Sequence, residues 1–252
     1  MSEPTTADLL WAPTIGTATR RGPRPRVTLA ELVATGIRLA DDEGLDAASM
    51  QRVADEVGVT KMALYRYVPN RDALIALMVD TAMGPVSASA SASGPASEAD
   101  DPDASPASWQ PRLRAWAHAV HDVFAAHRWL LTAAVGARVF GPNELSWTEA
   151  GLGVLEELPL TAGERLDTLT LVSAHVRGLV QQETQPDLEA QLAETLGAVL
   201  TANADAYPLA AAAFADAATD TAQDAALEYG LDRIIAGIAA LIAARQRAPR
   251  RS

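Results

Sequence analysis

The chain has 252 residues, 49% of them hydrophobic and 21% charged, so it can bury a sizeable core and is not of disordered composition. It has no cysteine, which excludes disulfides, thiolate zinc sites and a cysteine nucleophile. The net charge of −12 argues against a polyanionic partner until its distribution is examined: from Arg20 to Arg71 nine basic residues meet seven acidic ones, and the acidic excess lies in the remainder.

Residues 1–26 are rich in Pro, Thr and Gly and end in the basic run Arg20, Arg21, Arg24, Arg26. They read as a flexible basic arm able to touch phosphates or a minor groove. No basic segment followed by an apolar run opens the sequence, and no stretch of about 18 apolar residues occurs in it. The expectation is therefore a cytoplasmic protein without a membrane partner.

From Thr28 the spacing becomes helical. Leu29, Leu32, Val33, Gly36, Ile37 and Ala40 share one helix face, and Thr28 with Glu31 predicts a capping box. Gly44 ends that helix. Ser49 predicts the cap of a second helix with Met50, Val53, Ala54 and Val57 inward, and Gly58 stops it. Thr60 caps a third short helix with Ala63, Leu64 and Tyr67 inward, broken at Pro69-Asn70. A fourth helix runs from Arg71 to about Met83.

The stretch Ser49–Val68 carries the functional signal. Two short helices joined by a tight turn at Gly58-Val59, with small Ala54 at their crossing, form a helix-turn-helix pattern. A helix that enters the major groove needs small or polar residues near its start and cations and hydroxyls for phosphate. Thr60, Lys61, Met62, Ala63, Tyr65, Arg66 and Tyr67 meet that need, and Lys61 is the sole lysine of the chain. Arg71 opens the next helix, where a cation opposes the helix dipole, which favours a phosphate partner for it. The domain division is therefore an arm over 1–26, a helix-turn-helix domain over 27–83, a disordered Ser/Ala/Gly/Pro/Asp linker over 84–108, a helical body over 109–245 and a basic tail over 246–252.

The body predicts helices over about 109–127, 131–139, 144–157, 161–184, 187–203 and 221–245, with no strand pattern. The fold class is all-α. Trp116, His121, Trp129, Phe140, Trp147 and His175, with His118 and Arg177, are candidate linings for a small apolar or amphipathic effector. His118 and His121 stand three apart, too weak a spacing to predict a metal, and neither a metal nor a cofactor is expected. Leu227, Leu231, Ile234, Ile235, Ile238, Leu241 and Ile242 form a stripe on the last helix. Leu166, Leu169, Val172, Ser173, Val176, Leu179 and Val180 form another near 161–184, and each stripe reads as intramolecular core or as a dimer seam, since one face can be core and another seam.

The region from Val27 to Met83 resembles the DNA-binding domain of the TetR family of bacterial regulators. The likeness rests on the run Val-Ala-Asp-Glu-Val-Gly-Val, the Leu-Tyr-Arg-Tyr-Val core and Asn70-Arg71. The run Gly230–Ile238 resembles the tetracycline-repressor-like ligand domain more loosely. The resemblance implies DNA contacts from Gln51, Arg52, Thr60, Lys61, Met62, Ala63, Tyr65, Arg66, Tyr67 and Arg71, with Ser49 as a capping hydroxyl or phosphate contact. It implies a homodimer on a palindromic duplex DNA operator, paired through Leu169, Val172, Val176, Leu231, Ile234 and Ile238, and released by a small-molecule effector. Trp116 falls near a position where tetracycline repressors hold the drug with a small polar residue, so tetracycline itself is not the expected effector. Two other readings are a ligand-independent structural DNA binder, which a body without a closed apolar cavity would favour, and an enzyme with a helix-turn-helix head. Against the latter, no phosphate loop, nucleophile elbow or His-Glu-x-x-His motif is present.

Overall fold

The computed structural model describes residues 5–11, 27–87, 109–136, 138–182, 186–217 and 225–247. All regular structure among them is helical, in agreement with the all-α expectation. The N-terminal head holds α2 (Leu29–Glu43), a 3₁₀ turn (Leu45–Ala47), α3 (Met50–Val57), α4 (Lys61–Tyr65) and α5 (Arg71–Met83). Ahead of it lies α1 (Thr6–Trp11). The body holds α6 (Trp109–Ala126), α7 (Leu130–Ala133), α8 (Pro142–Leu155), α9 (Ala162–Gln182), α10 (Pro186–Ala202), α11 (Pro208–Ala217) and α12 (Ala225–Arg247). No helix among the described residues is long and apolar enough to cross a membrane.

The local signals in the head act as anticipated. Thr28 and Glu31 form a reciprocal capping box, Ser49 Oγ accepts from the Arg52 N–H, and Thr60 Oγ1 accepts from the Ala63 N–H. Gly58 adopts φ +75°, the left-handed geometry that turns the chain between α3 and α4. Leu32, Val53, Ala54, Leu64, Val68, Leu74 and Met78 bury together. Gly36 is needed where α2 crosses α5: a Cβ there would lie 2.8 Å from Met78 Sδ.

Three differences from the sequence reading have local causes. The expected arm includes α1, whose Leu10 is buried and whose Trp11 Nε1 donates to the Phe140 carbonyl at 3.0 Å. Six residues are too few to display a period, so only their apolar content pointed this way. The helix predicted over 131–139 shrinks to α7, since Gly136 at φ +84° leaves helical space. Helix α11 went unpredicted because its alanine-rich run has no polar face to mark a period. The remaining arm (1–4 and 12–26), the linker from residue 88 to 108 and the tail from residue 248 lie outside the described residues.

The body core gathers Leu113, Trp116, Val120 and Phe124 of α6 against Leu155 of α8, Val172, Val176 and Val180 of α9, and Leu231 and Ile235 of α12. The same core takes in residues expected at a dimer seam. Leu169, Val172, Val176, Leu231 and Ile238 are buried within the single chain, and Ile234 is partly buried against the same core. These side chains serve the core of the single chain. What remains exposed is a second stripe: Leu171 and Ala174 on α9, with half-buried Gly178 beside them, and Tyr229, Arg233, Ala236, Gly237, Ala240 and Ala244 on α12.

Candidate nucleic-acid interface and effector cavity

α3 and α4 cross so that their inner faces bury while the outer face of α4 points away from the head. Lys61, Met62, Tyr65 and Arg66 are exposed, Met62 by 74%. Lys61 Nζ sits 5.9 Å from the centre of the Tyr65 ring, a cation–π pair that orients both toward solvent. Thr60, Gln51 and Arg52 are exposed beside them, and Ala63, Tyr67 and Ser49 are half-buried. Ser49 works as the cap of α3, and Arg52 pairs with Glu43 at 2.8 Å.

Arg71 is engaged with the head. Its Nη2 donates to the Leu45 carbonyl at 3.0 Å and approaches Asp46 Oδ1 at 3.3 Å. The cation at the start of α5 is thus accommodated within the head, where it ties α5 to the turn before α3, and no phosphate is required to explain it.

Head and body are joined by polar contacts that sequence reading did not find. Asp80, in the last turn of α5, is buried. Its Oδ1 accepts from the backbone N–H groups of Asn143 at 2.8 Å and Glu144 at 3.2 Å, and its carbonyl accepts from Asn143 Nδ2 at 2.9 Å. Asp80 therefore caps the N-terminus of α8, whose own N-cap, Gly141, has no side chain. Burial pushes the Asp80 carboxyl above its ordinary pKa, and the two N–H donors oppose that rise. Trp147 Nε1 donates to the carbonyls of Met83 and Gly84, both at 3.1 Å, closing the other end of the junction. A second junction joins α2 to the end of α6: Asp41 Oδ1 accepts from Trp129 Nε1 at 2.7 Å and meets His127 Nδ1 at 2.9 Å. The available signal was an aspartate set among apolar residues in α5, which marks a buried carboxylate in search of donors.

Between α6, α8 and α9 lies a recess of about 680 Å³, bounded by Trp116, Phe140, Leu169 and Arg177. It shares Trp116, Phe140, Thr148, Ser173 and Arg177 with a deeper pocket of about 160 Å³ that reaches Trp147 and the Arg138–Glu144 ion pair. Phe140 and Leu166 at its rim are about half exposed, so the recess opens to solvent. Of the residues put forward for an effector site, Trp116, Phe140 and Trp147 line this recess. His121, Trp129 and His175 do not: His121 lies 3.5 Å from Asp122, Trp129 serves the head–body junction, and His175 Nε2 meets the Leu227 carbonyl at 3.2 Å. His118 pairs with Glu228, linking α6 to α12.

A helix-turn-helix head with an outward polar face, locked to a helical body with a recess, defines a class of one-component regulator folds. Residues 32–78 match the family described as bacterial regulatory proteins, tetR family, and residues 101–242 match the tetracyclin repressor-like C-terminal domain. The chain belongs to the TetR family. It is similar to the HTH-type transcriptional repressor DrrR1 of Streptomyces coeruleorubidus, 32% identical over 71% of this chain and 63% of the relative. An HTH-type transcriptional regulator of Saccharopolyspora erythraea is 26% identical over 64% of this chain and 63% of the relative. The chain therefore spans somewhat under two thirds of the length of these relatives. Among solved structures, ActR of Streptomyces coelicolor, both apo and in complex with actinorhodin, superposes with TM-score 0.70 and 26% identity, covering 86% of this chain and 97% of ActR.

Proposed function

We propose that the protein is a transcriptional repressor that binds a palindromic DNA operator as a homodimer and releases it when a small molecule enters the recess between α6, α8 and α9. The observation that carries this reading is the outward face of α4, where Lys61, Met62, Tyr65 and Arg66 stand exposed on a helix whose Leu64 is buried in the head core. Gln51, Arg52, Thr60, Ala63 and Tyr67 flank them, in reach of base edges or phosphates. Local charge suits the task although the whole chain is acidic.

The exposed stripe on α9 and α12 supports homodimer pairing. Its alanines and glycines allow close helix approach, and a Cβ added at Gly178 or Gly237 would meet nothing within 4 Å. A two-fold seam of this kind would set two α4 helices on one face of a duplex.

The body holds an open recess and not the closed apolar cavity that would have told against a ligand-independent DNA binder, so the ligand-responsive reading rests on the lining of the recess and on the likeness to ActR. The recess opens at its rim, yet aromatic side chains and a few polar anchors line it, as in small-molecule sites. ActR, which shares the fold, has been solved with actinorhodin and with (S)-DNPA. The similarity to known transcriptional regulators favours a regulator over an enzyme. A ligand pressing on Trp147 or the Arg138–Glu144 pair displaces groups that hold Asp80, Met83 and Gly84. α5, about 20 Å long at 1.5 Å per residue, then carries the shift to the turn held by Arg71.

The test is fluorescence anisotropy on a duplex selected from random DNA at fixed salt. Lys61→Ala and Tyr65→Ala are expected to weaken binding by roughly ten-fold or more each while the melting curve stays unchanged. Undiminished affinity in both variants would refute the reading.

A further inference from the structure

The recess holds two guanidinium groups and one carboxylate. Arg138 and Glu144 answer each other through two parallel hydrogen bonds, yet Arg138 Nε is buried with no hydrogen-bond partner among the described residues. Arg177 borders both parts of the recess. Its Nη1 and Nη2 donate to the Ala134 and Leu131 carbonyls at 3.3 and 2.9 Å, which are neutral acceptors. Its guanidinium lies 5.2 Å from the centre of the Phe124 ring. Burial and the like charge of Arg138 both lower its pKa, as expected of a cation with no carboxylate set against it. The Asp80 carboxylate also acts on Arg138, so Arg177 is the cation of the recess that no carboxylate answers among the described residues.

A partly desolvated cation without a counter-charge is costly, and an anion brought beside it recovers that cost. Arg177 has five N–H donors, and two are engaged by carbonyls. The Ser173 and Thr148 hydroxyls border the same space, and Trp116 and Phe140 offer flat surfaces. We propose that the recess selects flat aromatic monoanions, bearing a carboxylate, sulfonate or phenolate, over neutral or cationic molecules of the same shape, with Arg177 as the partner of the anion. This rests on the recess being the effector site and adds the chemical class that it takes.

The test uses the full chain and two fluorescent probes with one ring system: anilinonaphthalene sulfonate and its sulfonate-free parent. The sulfonate is expected to bind about ten-fold tighter, the ratio of a charge-assisted hydrogen bond. Arg177→Met and Arg177→Gln are expected to abolish that preference while still binding the parent, which shows that the recess remains formed. Gln can keep a hydrogen bond to a neighbouring carbonyl, and Arg177→Lys is expected to retain most of the preference. Ser173→Trp fills the recess and is expected to remove both probes. Equal affinity of the two probes in the wild-type chain overturns the proposal. So does a preference that survives both charge-removing variants, or sulfonate binding that survives Ser173→Trp. DNA release is read separately by anisotropy: a sulfonate that binds with the expected preference and leaves DNA bound upholds the charge selectivity and counts against the regulatory reading.

Discussion

The carboxylate of Asp80 occupies the volume that a side chain on Gly141 would fill. A Cβ built on Gly141 lies 2.2 Å from Asp80 Cγ and Oδ1 and 2.7 Å from its Cβ. The helix cap of α8 is therefore supplied by a residue of the head, and the absence of a side chain at Gly141 lets it enter. Asp80→Ala leaves two N–H groups at the start of α8 without their acceptor and is expected to cost about 1–3 kcal/mol in urea unfolding. Gly141→Ala is expected to cost a similar amount, about 1–3 kcal/mol, by overpacking. In the Asp80→Ala background the second penalty should shrink without vanishing, because the contact with Cβ remains. Strict additivity in this double-mutant cycle would contradict the proposed cap.

Arg71 separates a structural from a DNA-contacting role. If its guanidinium serves the head through the Leu45 carbonyl, Arg71→Ala lowers unfolding stability by about 1 kcal/mol and weakens DNA binding only as the head loosens. A variant with wild-type melting and strongly reduced DNA affinity would restore the phosphate contact expected from its place at a helix start.

The two stripes on α12 make opposite predictions. Gly237→Glu places a charge on the open stripe, where a Cβ meets nothing within 4 Å among the described residues. It should shift sedimentation from dimer to monomer with the fold intact. Leu231→Ala hollows the intramolecular core, where Leu231 is fully buried, and is expected to cost about 2–5 kcal/mol of stability. A Gly237→Glu protein that stays dimeric would place the seam elsewhere.

Glu164 ties α9 to the end of α12 through Arg245, and Arg245 Nη1 also donates to the Pro159 carbonyl at 2.7 Å. The Arg245 hydrogen bond, then those from Thr161, lower the Glu164 pKa from 4.5 to about 2. The unfolded carboxyl takes up its proton first as the pH falls. The contribution of this group is therefore complete above 4.5 and fades as the pH drops toward about 2. Glu164→Gln should remove that part of the acid dependence, so the stability gap between the two proteins narrows across this window. A gap that stays constant would show that the carboxylate charge is not what Arg245 holds.

What could be read directly from the sequence was local. Thr28 with Glu31, Ser49, Thr60 and Gly58 mark the ends of head helices because each acts within four residues of itself, and hydrophobic spacing marks the inner faces of α2 and α3. The helix-turn-helix and the all-α body follow from such signals. Tertiary structure alone settled which of two stripes on α9 and α12 turns inward, since both are free of charge over most of their length and only packing neighbours distinguish them. It alone gave Arg71 its carbonyl partner 26 residues away and Asp80 its donors 63 and 64 residues away. It also placed Trp129 at a junction and Arg177 in the recess. Period and capping report the energetics of a single helix, whereas a buried polar group takes its partners from whichever segment the fold brings beside it.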